Sequence, residues 1–217
     1  MVAVRMRKPA AERRREIAEA ALRIVGRRGV TALTTANLAQ EVGLTTGALF
    51  RHFASLDDVL REAVRQSLER MESTFPEPSL PPLDRISRLA RNRVGILSSD
   101  PGLAWLVRSE QALHALPRDA VDSLLEFVSR SRRFLLEAIE EGARKGSIRR
   151  DIEPEALLVA VAGTIHALVG MPGIHRLARG SRRIEPERVL EGLMRMLAPS
   201  GRGMTRKLKL VPKERKK

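Results

Sequence analysis

The chain has 217 residues, of which 43% are hydrophobic and only 3% aromatic, so a sizeable core must be built from Leu, Val, Ile and Ala. With no cysteine, disulfides, thiolate metal sites and a cysteine nucleophile are excluded, and no run approaches the ~20 apolar residues that would span a bilayer. The net charge of +14 sits at the ends: residues 1–28 hold nine basic and three acidic residues, residues 201–217 hold eight and one, and the remainder carries +1.

Basic ends on a balanced body point to contact with a polyanion. Duplex DNA leads, and RNA or an anionic membrane surface fits this feature taken alone. The N-terminus is polar and basic and resembles no secretory signal, so a cytoplasmic location without a membrane partner is expected.

In chain order, residues 9–28 read as a helix, with Ile17, Ala20, Ala21, Ile24 and Val25 on one buried stripe and Arg13, Arg14, Arg15, Arg23 and Arg27 off it. Gly29 is expected to end it in a left-handed cap. Thr34 or Thr35 then caps a short helix to about Val42, with Leu38 and Val42 inward. Gly43-Leu44-Thr45 forms a turn in which glycine permits a positive φ, and Thr45 caps a second short helix over residues 46–53. Leu49 and Phe53 bury that helix and leave Thr46, Gly47, Phe50 and Arg51 outward or sideways. Two short helices on a glycine-containing turn have the form of a helix-turn-helix. Ser55 or Asp57 opens a fourth helix through Met71.

Four prolines within residues 75–82 forbid a continuing helix and mark a junction. Beyond it lies a stripe of Ile86, Leu89, Ala90, Val94 and Leu97. A helix capped by Asp100 with Pro101 at its first position is expected to run to about Ala115. Residues 118–145 form a long helix with Val121, Leu124, Leu125, Val128, Leu135, Ala138, Ile139 and Gly142 inward, closed by Gly146. Residues 155–170 are apolar nearly all round and must be covered on every side. A last helix covers about residues 186–198, and the loss of periodicity beyond Pro199 predicts a disordered basic tail. The fold class is all-α, about nine helices and no sheet. Its parts are a helix-turn-helix domain over residues 1–55, a helical body over 56–200 entered by the helix 56–74, and the tail 201–217.

The run from Leu33 to Ser55, with its Gly43-Leu44-Thr45 turn, Gly47-Ala48-Leu49 and closing Phe50-Arg51-His52-Phe53, closely resembles the DNA-binding signature of the TetR repressors. The resemblance is strong over about residues 12–68 and weak beyond. It implies a homodimer that sets the helix 46–53 of each subunit into a major groove of a palindromic operator. On that likeness Thr35 and Thr45 hold phosphates, Phe50 packs against sugar, and Thr46, Gly47, Ala48 and Arg51 lie nearest the base edges; Thr34 is a further DNA-binding candidate, and His52 is structural or phosphate-facing. Arg51 has the fork that suits guanine, and Ala48 suits a thymine methyl. Phe50 stands where tyrosine is usual and Leu56 where lysine is usual, so two phosphate contacts are missing. Arg5, Arg7 and Lys8, with the first-helix arginines, are candidates to replace them.

The likeness further implies a dimer interface on the last two helices and an apolar pocket for a small effector. Trp105, His114, Phe127, Phe134, His166 and Met171 are the candidate pocket residues. No cofactor, metal site or catalytic residue is expected: there is no phosphate loop, no ligand cluster and no nucleophile–base pair. The function expected is a dimeric repressor released from its operator by an apolar or amphipathic effector. The rival is a ligand-independent DNA-binding or architectural protein. An enzyme or membrane-surface protein stands third.

Overall fold

The computed structural model describes residues 9–170 and 185–199 of the chain. Among these residues there are ten α-helices, one 3-10 turn and no strand. Arg5, Arg7, Lys8, Met171 and the basic tail lie outside the described residues.

Helix α1 (Ala10–Arg28) follows from its stripe: Ile17, Ala18, Ala20, Ala21, Leu22, Ile24 and Val25 are all buried. Gly29 has a positive φ of 82° but a ψ of 166°, an extended glycine-only conformation rather than the left-handed helical cap expected. Its amide still returns to the Val25 carbonyl, and the chain enters the turn Val30–Ala32. Helices α2 (Thr35–Glu41) and α3 (Thr46–Leu49) meet across the glycine turn, and α4 (Leu56–Glu72) runs back along α1. Ile17, Ile24, Leu38, Leu49, Phe53 and Val59 share one small core under these helices.

The body starts at α5 (Pro82–Ser99) and carries two further clusters. The single helix expected over residues 101–115 is two, α6 (Pro101–Arg108) and α7 (Glu110–Ala115). Ser109 breaks it with an extended backbone, φ −95° and ψ 123°. A serine hydroxyl competes for backbone hydrogen bonds and supports helix weakly, so tertiary packing decides here. With that split there are ten α-helices among the described residues, where about nine were expected for the chain. The long helix α8 (Arg118–Lys145) ends at Gly146 in the left-handed conformation, φ 76°. Leu125 and Val128 point outward, 49% and 37% exposed, against the inward expectation. They extend the apolar stripe around the helix past the face that α4, α5 and α9 cover.

Helices α9 (Pro154–Gly170) and α10 (Pro186–Leu197) pack on α5 and on each other. Leu157, Leu158, Val161, Ile165 and Val169 are buried, while Ala156, Val159, Ala160 and Gly163 stand exposed. Half of a helix that is apolar all round therefore lacks cover among the described residues.

Candidate nucleic-acid interface and effector cavity

Three side chains cap the short helices of the N-terminal unit. Thr34 Oγ1 accepts from the Asn37 amide at 3.2 Å, Thr45 Oγ1 from Ala48 at 3.1 Å and Ser55 Oγ from Asp58 at 3.1 Å. Each contributes about 1 kcal/mol, and α2 and α3, of seven and four residues, are too short to hold themselves without it. Between α2 and α3, Gly43 has φ 64°, and the Leu44 amide reaches back to the Ala39 carbonyl at 2.8 Å.

Helix α3 is shorter than expected. Regular helix covers Thr46–Leu49, and residues 50–52 form turns in which Arg51 and His52 amides bond carbonyls three residues back. Arg14 of α1 holds this end: its guanidinium donates to the His52 carbonyl and lies 4.0 Å over the Phe53 ring. That bond satisfies an orphan carbonyl at the helix end.

Thr34, Thr45, Thr46, Gly47, Phe50 and Arg51 are exposed, and Thr35, Ala48 and His52 are half-buried. They lie together on the outer side of α2 and α3, over the buried Leu38, Leu49 and Phe53. Phe50 is 47% exposed, a large apolar ring left in water. A Cβ at Gly47 would meet nothing within 4 Å, and its φ is ordinary. The fold itself does not require glycine there, although glycine inside a helix costs about 0.5–1 kcal/mol against alanine.

The first-helix arginines are mostly engaged within the protein. Arg13 pairs with Glu16 at 2.7 Å, Arg15 with Glu19 at 3.1 Å and Arg23 with Glu41 at 3.4 Å, while Arg14 holds α3. The sequence pattern placed them off the buried stripe, which is correct, but partners at i+3, i+4 and on α2 claim them.

The pocket candidates do not converge. Phe127 is fully buried, and Phe75 meets it edge-on at 6.0 Å and Phe134 at 5.1 Å, so these rings fill the core. His114 is exposed on α7, and His166 is exposed on α9. Trp105 does line a cavity of about 560 Å³, with Leu97 and Ser98 of α5, Ala104 and Arg108 of α6, and Val169 of α9. The Trp105 Nε1 is buried without a hydrogen-bond partner among the described residues, a deficit of about 1–3 kcal/mol.

Two basic groups that the sequence reading missed lie on two of the helices that form this cavity. Arg93, one turn before Leu97 on α5, is buried; it lies 5.0 Å over Phe75 and 4.8 Å over Phe127 and donates to Thr74 and Ser131. Burial pushes its guanidinium down to about 10, with Glu72 working in the opposite direction. Arg108 is exposed and makes no ion pair or hydrogen bond among the described residues. Packing on the inner side of His166, then the charges of Arg108 and Arg93, hold its imidazole below its ordinary range.

Helix α6 ties this cavity to the N-terminal unit. Asp100 caps α6 by accepting from the Gly102 and Leu103 amides, both at 3.0 Å, and pairs with Arg70 of α4 at 2.6 Å. Burial alone would raise the Asp100 carboxyl, but the Leu103 amide, Arg70 and the Gly102 amide outweigh it and hold it below the usual carboxylate range. No helix among the described residues is long and apolar enough to cross a membrane, and no three His, Cys, Asp or Glu side chains there could share a metal ion.

A capped helix-turn-helix with an exposed second helix, mounted on a helical body, defines a DNA-binding protein. Residues 17–63 match the family described as "Bacterial regulatory proteins, tetR family". The chain is 30% identical over 171 residues to the nucleoid occlusion factor SlmA of Vibrio cholerae, covering 72% of this chain and 84% of that one. It is 25% identical over 147 residues to the HTH-type transcriptional repressor KstR2 of Rhodococcus jostii, covering 66% and 71%. AibR, crystallised with isovaleryl coenzyme A and operator DNA, superposes with a TM-score of 0.70 at 17% identity, over 86% of this chain and 98% of that one. The chain belongs to the TetR family of DNA-binding transcriptional regulators.

Proposed function

We propose that the protein is a dimeric repressor which reads a palindromic operator with α3 and leaves it when a small apolar or amphipathic molecule enters the body. Residues 1–55 are the reading domain, residues 56–200 the sensing and dimerising body. Thr34, Thr35, Thr45, Phe50 and His52 lie against the DNA backbone; Thr46, Gly47, Ala48 and Arg51 face the bases, with Arg7 and Lys8 of the N-terminal arm adding phosphate contacts.

The single observation that carries this is Gly47. Among the described residues nothing occupies the space a side chain would take there, which leaves the backbone of α3 open to close approach by DNA. The same reasoning applies to Gly163 on the exposed face of α9, where a Cβ would also meet nothing within 4 Å. Around it Val159 is 62% exposed, and Met196 on α10 is 61% exposed. Close approach of the same face from a second copy covers these residues, giving a four-helix contact about a two-fold axis. Such a dimer holds its reading helices one DNA turn apart, about 34–36 Å.

An occupant of the α5–α6–α9 cavity presses on Ala104 and Trp105 of α6. Helix α6 reaches α1 through Gly102 and α4 through Asp100 and Arg70, so its displacement changes the spacing of the two α3 helices. A preference of a few kcal/mol for the displaced state releases the operator. The name of the V. cholerae relative, a nucleoid occlusion factor, favours a second reading in which DNA is bound without a small effector. Selection of duplexes from a random pool, then a mobility-shift assay with and without cell-extract small molecules, separates them. A defined operator released by an extracted compound supports the repressor. Sequence-specific binding that no extract alters supports the second reading, and indifference to every duplex sinks both.

A further inference from the structure

The cavity beside Trp105 has one feature that an apolar ligand does not use. Its wall is apolar on Leu97, Ala104 and Val169, yet one helix contributes the unpaired Arg108 at the rim, and no carboxylate stands among its lining residues. Arg93, on α5 behind Leu97, is buried with hydroxyls and aromatic faces as partners instead of an acid. The charges of both arginines reach His166 on α9, one turn before the lining residue Val169. Among the lining residues Arg108 is therefore a cation beside an apolar wall with no acid to neutralise it.

An exposed cation beside an apolar wall attracts an anion whose tail covers that wall, and the bound tail then shields the pair from water. An arginine fork matches a carboxylate or phosphate. A cavity of about 560 Å³ lies in the range of roughly 300–1,000 Å³ typical of small-molecule sites. We propose that this cavity takes an amphipathic anion, its carboxylate or phosphate head held at Arg108, and its aliphatic part laid against Leu97, Ala104, Trp105 and Val169. This rests on the effector-controlled reading above and adds the charge of the effector.

Trp105 is the single tryptophan of a chain without tyrosine, so its emission reports the cavity directly. Full-length protein is titrated with decanoate, decyl phosphate and decanol, with operator mobility shifts run on the same samples. The two anions are expected to half-saturate the emission change at least tenfold below decanol. Arg108→Glu is expected to abolish that preference and Arg108→Lys to retain most of it; both side chains are exposed, so folding is not at stake. Equal response to decanol, a preference that survives Arg108→Glu, or no response to any of the three overturns the anionic site. If decanol releases the operator as well as the anions do, the effector-controlled repressor stands while the anionic head group falls.

Discussion

Gly26 on α1 and Gly102 on α6 touch backbone to backbone: a Cβ added to Gly26 would stand 2.5 Å from the Gly102 amide nitrogen. A Cβ on Gly102 would in turn collide with the Leu22 carbonyl oxygen. The neighbours are main-chain atoms and cannot swing aside. Gly102→Ala is expected to destabilise the protein by about 1–3 kcal/mol, the usual cost of overpacking. Because α6 carries both this contact and the cavity wall, operator affinity should fall with it. Thermal melts and operator titrations check this; an unchanged melting temperature with full operator affinity would contradict the contact.

Arg14 joins α1 to the end of α3 by its bond to the His52 carbonyl and its place over Phe53. Arg14→Ala is expected to cost about 1–2 kcal/mol of stability, from one charge-assisted hydrogen bond and one cation–π contact. Operator affinity should drop by more than the melting temperature implies, because the reading helix loses its fixed angle. Arg14→Lys should rescue little, since an ammonium cannot stack and fork as a guanidinium does. Full rescue by lysine in an operator titration would show that only charge matters.

The Asp100 carboxyl is held below its ordinary value in the folded chain. A group depressed in this way contributes stability above its unfolded value of about 3.9, and that contribution is lost as pH falls through the folded value. Asp100→Asn keeps an acceptor for the α6 cap but removes the charge facing Arg70. The melting temperature of the wild type should exceed that of the variant at pH 7, and the gap should close below about pH 4. A gap constant from pH 7 to pH 3 would mean that the charge of Asp100 is irrelevant.

Val159→Arg places a cation in the middle of the exposed face of α9. The chain should sediment as a monomer where the wild type sediments as a dimer, with its helical signal retained. Operator affinity should fall at least a hundredfold, since half-sites are then bound independently. A Val159→Arg protein that remains dimeric would place the interface elsewhere.

The helix-turn-helix was legible because local chemistry writes it: threonine caps, a glycine at positive φ and apolar pairs four residues apart all act within a few residues. Gly29 and the end of α3 were less so. Whether residues 50–52 stay helical depends on Arg14, which lies far away in the chain. The break at Ser109 has the same origin in packing. Arg93 was hidden for a different reason. Its spacing to Ile86, Leu89, Ala90 and Leu97 puts it on the inward stripe of α5, but an arginine on such a stripe is ordinarily read as an exception to it. The two phenylalanine candidates for the pocket turned out to fill the core because Phe75, in the proline-rich junction, folds back between Phe127 and Phe134. Gly26 and Gly102 gave no local sign of a contact between helices 76 positions apart.

The most direct measurement is the ratio of affinities for the selected operator and an unrelated duplex of equal length, at one fixed salt concentration, for wild type, Gly47→Val and Arg51→Ala. Both sites are exposed and unoccupied by neighbours, so melting temperatures should stay within a degree or two of wild type. The wild type should prefer its operator by a factor of about a thousand or more. Gly47→Val should lose operator binding, and Arg51→Ala should lose about 1–3 kcal/mol of discrimination while keeping non-specific affinity. Unaltered discrimination in both variants would mean that α3 does not read the DNA.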